Sequence, residues 1–309
     1  MSPVEATVRP PVVLDVDGAV QPLPGEHRID LAAWQEAVRF GCRLGTLQAF
    51  GEILARTMPP FAAHGPVFLG SGDFHHLSWP LIERCIAAQA RAAGRPLRVV
   101  VLDNHPDNMR FPFGVHCGSW VRRVALLPQV AQVHVAGITS GDIGWGHCWE
   151  NYLRPLAAGK LTYWSVGVDT GWARWLGLQQ AFRGFASGDA LVAALCEHLA
   201  ADGMPTYFSI DKDAFAPEVV HTNWDQGVLL ARHAEAVARA LQGTVVGADI
   251  TGDVSCWRYA TAWKRWLSAG DGQSTDNVAD QATLHQWHAG QAALDRQLVA
   301  WLEGAWADR

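Results

Sequence analysis

The sequence predicts an α/β fold in which a mainly parallel β-sheet lies between two layers of helices. Short apolar runs alternate with amphipathic helical patterns along the chain, and this order is typical of parallel sheets covered on both faces. The runs are rich in Val, Ile and Tyr, as buried parallel strands usually are. The sequence contains no internal repeat and no Gly/Ser-rich linker. We therefore expect a single three-layer α/β/α domain over residues 1–309.

Seven apolar runs predict the strands of this sheet. They cover residues 11–15, 67–69, 97–102, 132–136, 161–168, 206–210 and 244–248. Four helices are predicted between and after these runs. They cover 31–40 after Asp30, 78–93 beginning at Ser78, 190–201 capped by Ser187 or Asp189, and 283–306. The last helix belongs to a Trp-rich C-terminal segment, about 256–309, that we expect to pack on the domain or on a second copy in a homo-oligomer.

The charge balance excludes several classes of protein. The chain has 24 Lys and Arg against 30 Asp and Glu, a net charge of −6. Because phosphate binding requires concentrated positive charge, we expect no nucleic-acid partner.

No apolar run approaches the roughly 18 residues of a membrane helix, and the N-terminus does not resemble a signal peptide. The six cysteines are widely spaced, which is typical of reduced thiols. We therefore expect a cytoplasmic protein with no membrane partner.

Acidic residues and histidines follow the predicted strands directly. Asp103, His105 and Asp107 come after the strand at 97–102, and Asp211 and Asp213 after the strand at 206–210. In an extended turn alternate residues project to one side, so each set can converge. Ligands of such sheets bind beyond the carboxyl ends of the strands, where these sets lie. The same pattern continues with His75 and His76 after 67–69, and with Asp249 and Asp253 after 244–248.

The chemistry of this set points to metal binding. Carboxylates are hard oxygen ligands and imidazoles are borderline nitrogen ligands, a combination that suits Mn²⁺ better than a Cys-rich structural zinc site. Four buried carboxylates carry more charge than one divalent cation neutralises, so two metal ions are expected. The alternative is that each aspartate caps a helix, as Asp often does after a strand.

Four motifs resemble those of the arginase–agmatinase ureohydrolases. SGDFHHLS at 71–78 is similar to the family's GGDH, and DNHPD at 103–107 to its DAHxD. VHCG at 115–118 is similar to its His-Gly element, and SIDKD at 209–213 to its SxDxD. The order and spacing agree over roughly residues 65–255. The resemblance implies a three-layer α/β/α fold, a binuclear Mn²⁺ centre and hydrolysis of a guanidino group to urea and an amine.

The resemblance also implies a role for each matched residue. Asp107 would be the general acid–base, His116 would shuttle protons or orient the substrate, and Asp253 would pair with the guanidinium. The choice between the two adjacent histidines stays open. The implied metal ligands are His75 or His76, Asp103, His105, Asp107, Asp211 and Asp213. Two Mn²⁺ ions are expected, with other divalent transition metals as alternatives.

Two segments depart from the family pattern. Residues 108–115 are shorter than in arginases and lack the Ser and Asn residues that hold a free α-amino acid, and residues 214–227 replace the family's Asp-Pro and Gly-Thr-Gly run. We therefore expect a substrate other than free arginine, a small guanidino compound or a peptide with an arginine side chain. Trp224, Asp225 and Trp120 are candidates for the wall of a wider mouth.

Three other interpretations stay open. VVLDVDGA at 12–19, with Asp15 and Asp17, resembles the nucleophile motif of haloacid-dehalogenase-type phosphatases, and Asp249 with Asp253 fits their late acidic pair. The pair His75-His76 resembles the paired general base of arginase-fold zinc deacylases, which use one metal. The third interpretation is a non-catalytic binding protein of the ureohydrolase type.

Overall fold

The computed structural model describes residues 9–92, 94–257, 259–262, 264–265 and 280–307. Its strands are β1 (Val12–Asp15), β2 (His27–Asp30), β3 (Gly41–Cys42), β4 (Val67–Phe68), β5 (Leu97–Leu102), β6 (Val115–His116), β7 (Val130–Ile138), β8 (Leu161–Val166), β9 (Phe182–Phe185), β10 (Thr206–Asp211) and β11 (Val245–Thr251). Its helices are α1 (Gln35–Val38), α2 (Leu44–Thr57), α3 (Ser78–Ala92), α4 (Val121–Ala125), α5 (Leu153–Ala157), α6 (Gly188–Ala200), α7 (Ala231–Ala240) and α8 (Gln281–Glu303).

Nine of the strands form one sheet in the order β2-β1-β4-β11-β10-β5-β7-β8-β9. Every neighbouring pair in it is parallel. β3 and β6 form a separate antiparallel pair. Along β5, Val99 and Val101 pack on one face and Val100 and Leu102 on the other, as the two-residue period of a strand requires.

Helices cover both faces of the sheet. The core on one face includes side chains of α2, α3 and α4, whereas the core on the other face includes side chains of α6, α7 and α8. This arrangement confirms the predicted three-layer α/β/α fold. The described cysteines form no disulfide, and none of the described helices is long and apolar enough to cross a membrane.

All seven predicted strands are present, but two predictions about the sheet need correction. β11 continues to Thr251, so Asp249 lies inside the strand and not after it. The edge strands β2 and β9 were not predicted. Each pairs with only one neighbour and is largely solvent-accessible. Such strands do not need the apolar run that marks a central strand.

The helix predicted at 31–40 is also corrected. Asp30 does cap the segment, since Ala32 N donates to its Oδ1 at 3.0 Å, but a 3₁₀ turn is followed only by the short α1. The chain leaves the helix because Phe40 adopts φ 62° and its N–H donates to Asp73 O at 3.0 Å. Helices α2, α4, α5 and α7 were not predicted.

The remaining helix predictions agree closely with the structure. Helix α3 begins at Ser78, and Ser187 caps α6 by accepting from Ala190 N at 3.2 Å. Helix α8 is capped by Asp280 and ends three residues before Trp306, which forms a β-bridge with Val245 instead. Part of the segment predicted at about 256–309 lies outside the described residues.

Candidate metal centre

The four central strands β4, β11, β10 and β5 are neighbours, so the segments that follow them meet at one edge of the sheet. A 3₁₀ segment after β4, Gly72–Leu77, places His75 there. Its Nδ1 lies 2.9 Å from Asp107 Oδ2, 3.1 Å from Asp103 Oδ2 and 3.4 Å from Asp211 Oδ2. All four side chains are buried. One imidazole and three carboxylates thus converge as predicted.

A second cluster shares Asp103 with the first. His105 Nδ1 lies 3.0 Å from Asp213 Oδ2 and 3.5 Å from Asp103 Oδ1. Asp103 therefore directs one carboxylate oxygen towards each histidine. Two groups, His75–Asp103–Asp211 and Asp103–His105–Asp213, each have potential ligand atoms that all lie within 4.8 Å of one another. The geometry provides two adjacent positions for cations that share one carboxylate.

The electrostatics of the clusters fit divalent cations. Burial and the neighbouring carboxylates raise the pKa of Asp107 to about 7, that of Asp213 to about 6, and that of Asp211 well above its usual value. Burial first, and repulsion between the carboxylates second, favour the protonated forms when no cation is present. Hard carboxylate oxygens with imidazole nitrogens suit Mn²⁺ and related ions, so the residues fit the group that the resemblance implies.

A chain of hydrogen bonds orients His75 from behind. Its Nε2 lies 3.0 Å from Ser209 Oγ, and Ser209 donates to Asp249 Oδ1 at 2.6 Å. Tyr207 donates to the other oxygen of Asp249 at 2.7 Å. Such partners fix the ring so that Nδ1 faces the carboxylates. Asp249, predicted to follow its strand, thus supports His75 from within β11.

Asp225 orients His105 in the same way. Its Oδ1 lies 2.9 Å from His105 Nε2, and its Oδ2 accepts from Asn104 Nδ2 at 3.0 Å. We predicted Asp225 as a substrate contact from the sequence. The structure places its carboxylate behind a potential metal ligand, which is a support role that sequence spacing did not indicate.

Asp107 is held in an uncommon conformation. Its φ is 47°, in the left-handed region, although it is not glycine. Trp120 Nε1 donates to Asp107 Oδ2 at 2.6 Å, and the indole is fully buried. Trp120 is therefore a partner of the catalytic candidate and not part of the wider mouth that we predicted. Strained residues of this kind concentrate at functional sites.

The structure separates the two adjacent histidines. His76 is fully buried and does not line the cavity above the clusters. Burial, with smaller effects of His116 and Lys264, lowers the pKa of His76 to about 3. Of the two candidates that the sequence left open, the structure brings His75 to the carboxylates.

His116 lines the cavity as a neutral imidazole. Its Nδ1 accepts from Gly118 N at 3.1 Å, which leaves Nε2 to carry the proton. The ring stacks on Phe40 at 5.7 Å, and burial lowers its pKa to about 3. With so low a pKa, it is better suited to orienting a substrate than to exchanging protons near neutral pH.

The clusters lie in a cavity of about 530 Å³. Trp224 and Asp225 line it, as predicted, whereas Asp253 does not. A loop after β7 contributes further side chains that the sequence did not indicate, since no motif marks it. Those cavity-lining residues are Ser140, Asp142, His147 and Glu150.

Comparisons with known proteins agree with this architecture. No protein-family model matches the chain. An uncharacterized protein of Thermotoga maritima is 25% identical over 208 residues, which cover 66% of this chain and 65% of that protein's length. Proclavaminate amidino hydrolase of Streptomyces clavuligerus is 16% identical with a TM-score of 0.50, over 96% of this chain and 93% of that one. A formiminoglutamase variant of Trypanosoma cruzi, solved with Mn²⁺, is 13% identical with a TM-score of 0.53, over 99% of this chain and 96% of that one. The chain has the arginase-superfamily fold.

Within this arginase-superfamily fold, Asp253 has a partner other than the predicted guanidinium. Its Oδ1 accepts from Lys212 Nζ at 2.8 Å, and both side chains are fully buried. Lys212 stands between Asp211 and Asp213, and also contacts Asp295 at 2.6 Å and Gln291 at 2.8 Å in α8. The C-terminal helix is thereby connected to the loop that carries two potential metal ligands.

The residues of the phosphatase interpretation lie apart from the candidate metal centre. Asp15 pairs with Arg28 at 3.2 Å, and Asp17 pairs with the buried Arg39 at 2.9 Å. Neither aspartate lines the cavity. The contact of Asp15 joins β1 to β2, and Asp249 is committed to Tyr207 and Ser209.

Proposed function

We propose that this chain is a metal-dependent hydrolase that cleaves a C–N bond of a guanidino group and releases urea and an amine. The observation that carries the proposal is the pair of carboxylate–imidazole clusters that share Asp103 on one side of a cavity of about 530 Å³. The fold shared with an amidino hydrolase and with a formiminoglutamase solved with Mn²⁺ supports the reaction class and the metal.

Six side chains would hold the metal ions. His75, Asp103, Asp107 and Asp211 surround one position, and Asp103, His105 and Asp213 surround the other. When bound, two divalent cations supply Lewis acidity and make a water-derived nucleophile available near neutral pH.

Asp107 is placed to move the proton. Its carboxylate lines the cavity beside His75, where it can accept a proton from water and return it to the departing amine. The hydrogen bond from Trp120 keeps the carboxylate in one orientation during this transfer. His116, neutral with its proton on Nε2, is a hydrogen-bond donor for the substrate.

The acidic lining of the cavity favours a cationic substrate. Asp142 and Glu150 line the cavity, and their carboxylates complement a guanidinium. Because Asp253 is committed to Lys212, these acids replace it as candidates for the substrate's partner. We infer a guanidino substrate other than free arginine, such as an arginine side chain within a peptide.

Urea release tests the proposal. The Mn²⁺-loaded protein is incubated with free arginine, with agmatine and with Nα-acetyl-arginine amide, and urea is quantified. We expect urea from a blocked or decarboxylated compound in preference to free arginine. Asp211→Asn should abolish it, whereas Asp280→Asn, at an exposed helix cap where Asn serves equally well, should not. A folded, metal-loaded protein that released no urea from any guanidino compound would contradict the proposal.

A further inference from the structure

The loop after β7 contributes some side chains to the cavity and exposes others to solvent. Asp142, His147 and Glu150 line the cavity, while Trp145 and Trp149 of the same loop are 72% and 66% exposed. Tryptophan is a residue type that proteins usually bury at least in part, so two exposed indoles on one loop need an explanation.

Hydrogen bonds fix the loop after β7, so its two exposed indoles have defined positions. Asn151 Nδ2 donates to Asp142 O at 2.8 Å, and the buried Trp172 donates from Nε1 to Ile143 O at 2.9 Å. The first bond joins a residue before the two tryptophans to one after them, and the second ties the beginning of the loop to Trp172. A rigid aromatic surface loses little conformational entropy when it is covered.

A third exposed aromatic side chain stands on the neighbouring segment. Phe113 is 73% exposed and packs edge-on against Phe111, which contacts the ring of His116 at 4.5 Å. Met109 of this segment bridges to Asn151, so the segment lies directly beside the end of the loop. We call the three residues Phe113, Trp145 and Trp149 the mouth surface.

We propose that the mouth surface binds the residues that flank the guanidino side chain of a peptide substrate. This proposal rests on the proposed function. Trp145 and Trp149 belong to the loop whose acids Asp142 and Glu150 line the cavity that holds the metal clusters. A peptide can place a cationic side chain among those acids and apolar neighbours on the indoles.

Two probes with the same reacting group test this inference. One is Nα-acetyl-arginine amide, and the other is an eleven-residue peptide, blocked at both ends, with one central arginine among Leu and Ala. We expect Trp145→Ala with Trp149→Ala to reduce the ratio of kcat/KM for the peptide to that for the small probe about tenfold, the loss typical of an aromatic contact residue. Trp175→Ala is the matched control, since Trp175 is 86% exposed and belongs to a segment, Gly171–Leu176, that contributes no residue to the cavity lining.

Three outcomes overturn the inference. In the first, the double variant keeps the wild-type ratio of the two kcat/KM values. In the second, Trp175→Ala lowers this ratio as much as the double variant does. In the third, the double variant changes the protein from an oligomer to a monomer and leaves the ratio unchanged. If neither probe releases urea, the proposed function fails, and the inference is then tested by binding alone. Fluorescence anisotropy of the labelled peptide on Mn²⁺-loaded protein should show about tenfold weaker binding to the double variant. Equal binding overturns the inference.

Discussion

Replacing Lys212 by Met removes the only cation in contact with two buried carboxylates, Asp253 and Asp295, among the described residues. Met has a similar length but no charge, so the change leaves the packing largely intact. The ammonium donates at 2.8 Å to Asp253 and contacts Asp295 at 2.6 Å, with all three side chains 0% exposed. Removing one partner of a buried ion pair costs about 3–5 kcal/mol, because a charge stays buried without compensation. We expect Lys212→Met to lower the free energy of unfolding of the metal-free protein by about that amount at pH 8.

The loss should depend on pH with a definite sign. Burial raises the pKa of Asp253, and raises that of Asp295 to about 7, despite Lys212. An acid with a raised pKa in the folded state binds protons there that it loses on unfolding. Its contribution to stability therefore falls as the pH rises from about 4 to above 7. Without Lys212 the pKa values rise further, so the variant should be least impaired near pH 5 and most impaired near pH 8.

Urea unfolding followed by circular dichroism measures both effects, at pH 5.5 and pH 8 with chelator present. The matched control adds Asp253→Asn and Asp295→Asn to Lys212→Met, which removes the uncompensated charges. We expect this triple variant to recover most of the lost stability. A loss below about 1 kcal/mol for Lys212→Met at pH 8, or an equal loss at pH 5.5, would refute the reasoning.

Three further predictions concern the metal centre. His75→Ala should lose bound metal, whereas His76→Ala should retain it and lower the free energy of unfolding by about 1–3 kcal/mol, as metal analysis and urea unfolding will show. The pKa of Asp107 and that of His75 are raised in the metal-free protein, so a binding metal ion must displace protons from these side chains. Metal affinity, measured by chelator competition between pH 5.5 and 8, should therefore rise about tenfold per pH unit for each proton released. An affinity that does not change with pH would contradict this prediction. Trp120→Phe should lower kcat about 10–100-fold and move the acid limb of the pH–rate profile upward, whereas Trp164→Phe, also fully buried, should not.

The centre was predictable because its residues follow central strands. The apolar run at 97–102 coincides with β5, and the polar residues after it fall at the carboxyl edge of the sheet. A parallel sheet brings such segments together whatever the length of chain between them. For this reason Asp103 and Asp213 could be assigned to one site from the sequence alone.

Residues that support the centre could not be assigned in this way. Asp225 reaches His105 from a loop without strand spacing, and Lys212 finds Asp295 in a helix 83 positions along the chain (295 − 212). Contacts of this kind depend on tertiary packing, which local pattern does not encode. The same holds for the helix predicted at 31–40, where Arg39 is held by Asp17 and Asp73 at 2.9 and 2.8 Å and the chain turns at Phe40.

Strand β2 and helix α2 were missed in the sequence for different reasons. Strand β2, His27–Asp30, alternates little and has one buried residue, Ile29, so it has no apolar run. Helix α2 did carry a usable signal, since Leu47, Phe50 and Leu54 recur at helical spacing and are buried. Its prediction was therefore possible, whereas that of β2 required knowledge of its partner β1.

Metal content per chain tests the central claim most directly. The protein is prepared without chelator, loaded with Mn²⁺, dialysed, and analysed by inductively coupled plasma mass spectrometry. We expect two metal ions per chain, and fewer than one in Asp103→Ala, because Asp103 belongs to both clusters. One zinc ion per chain in place of two manganese ions, or two retained ions in Asp103→Ala, would contradict the binuclear centre.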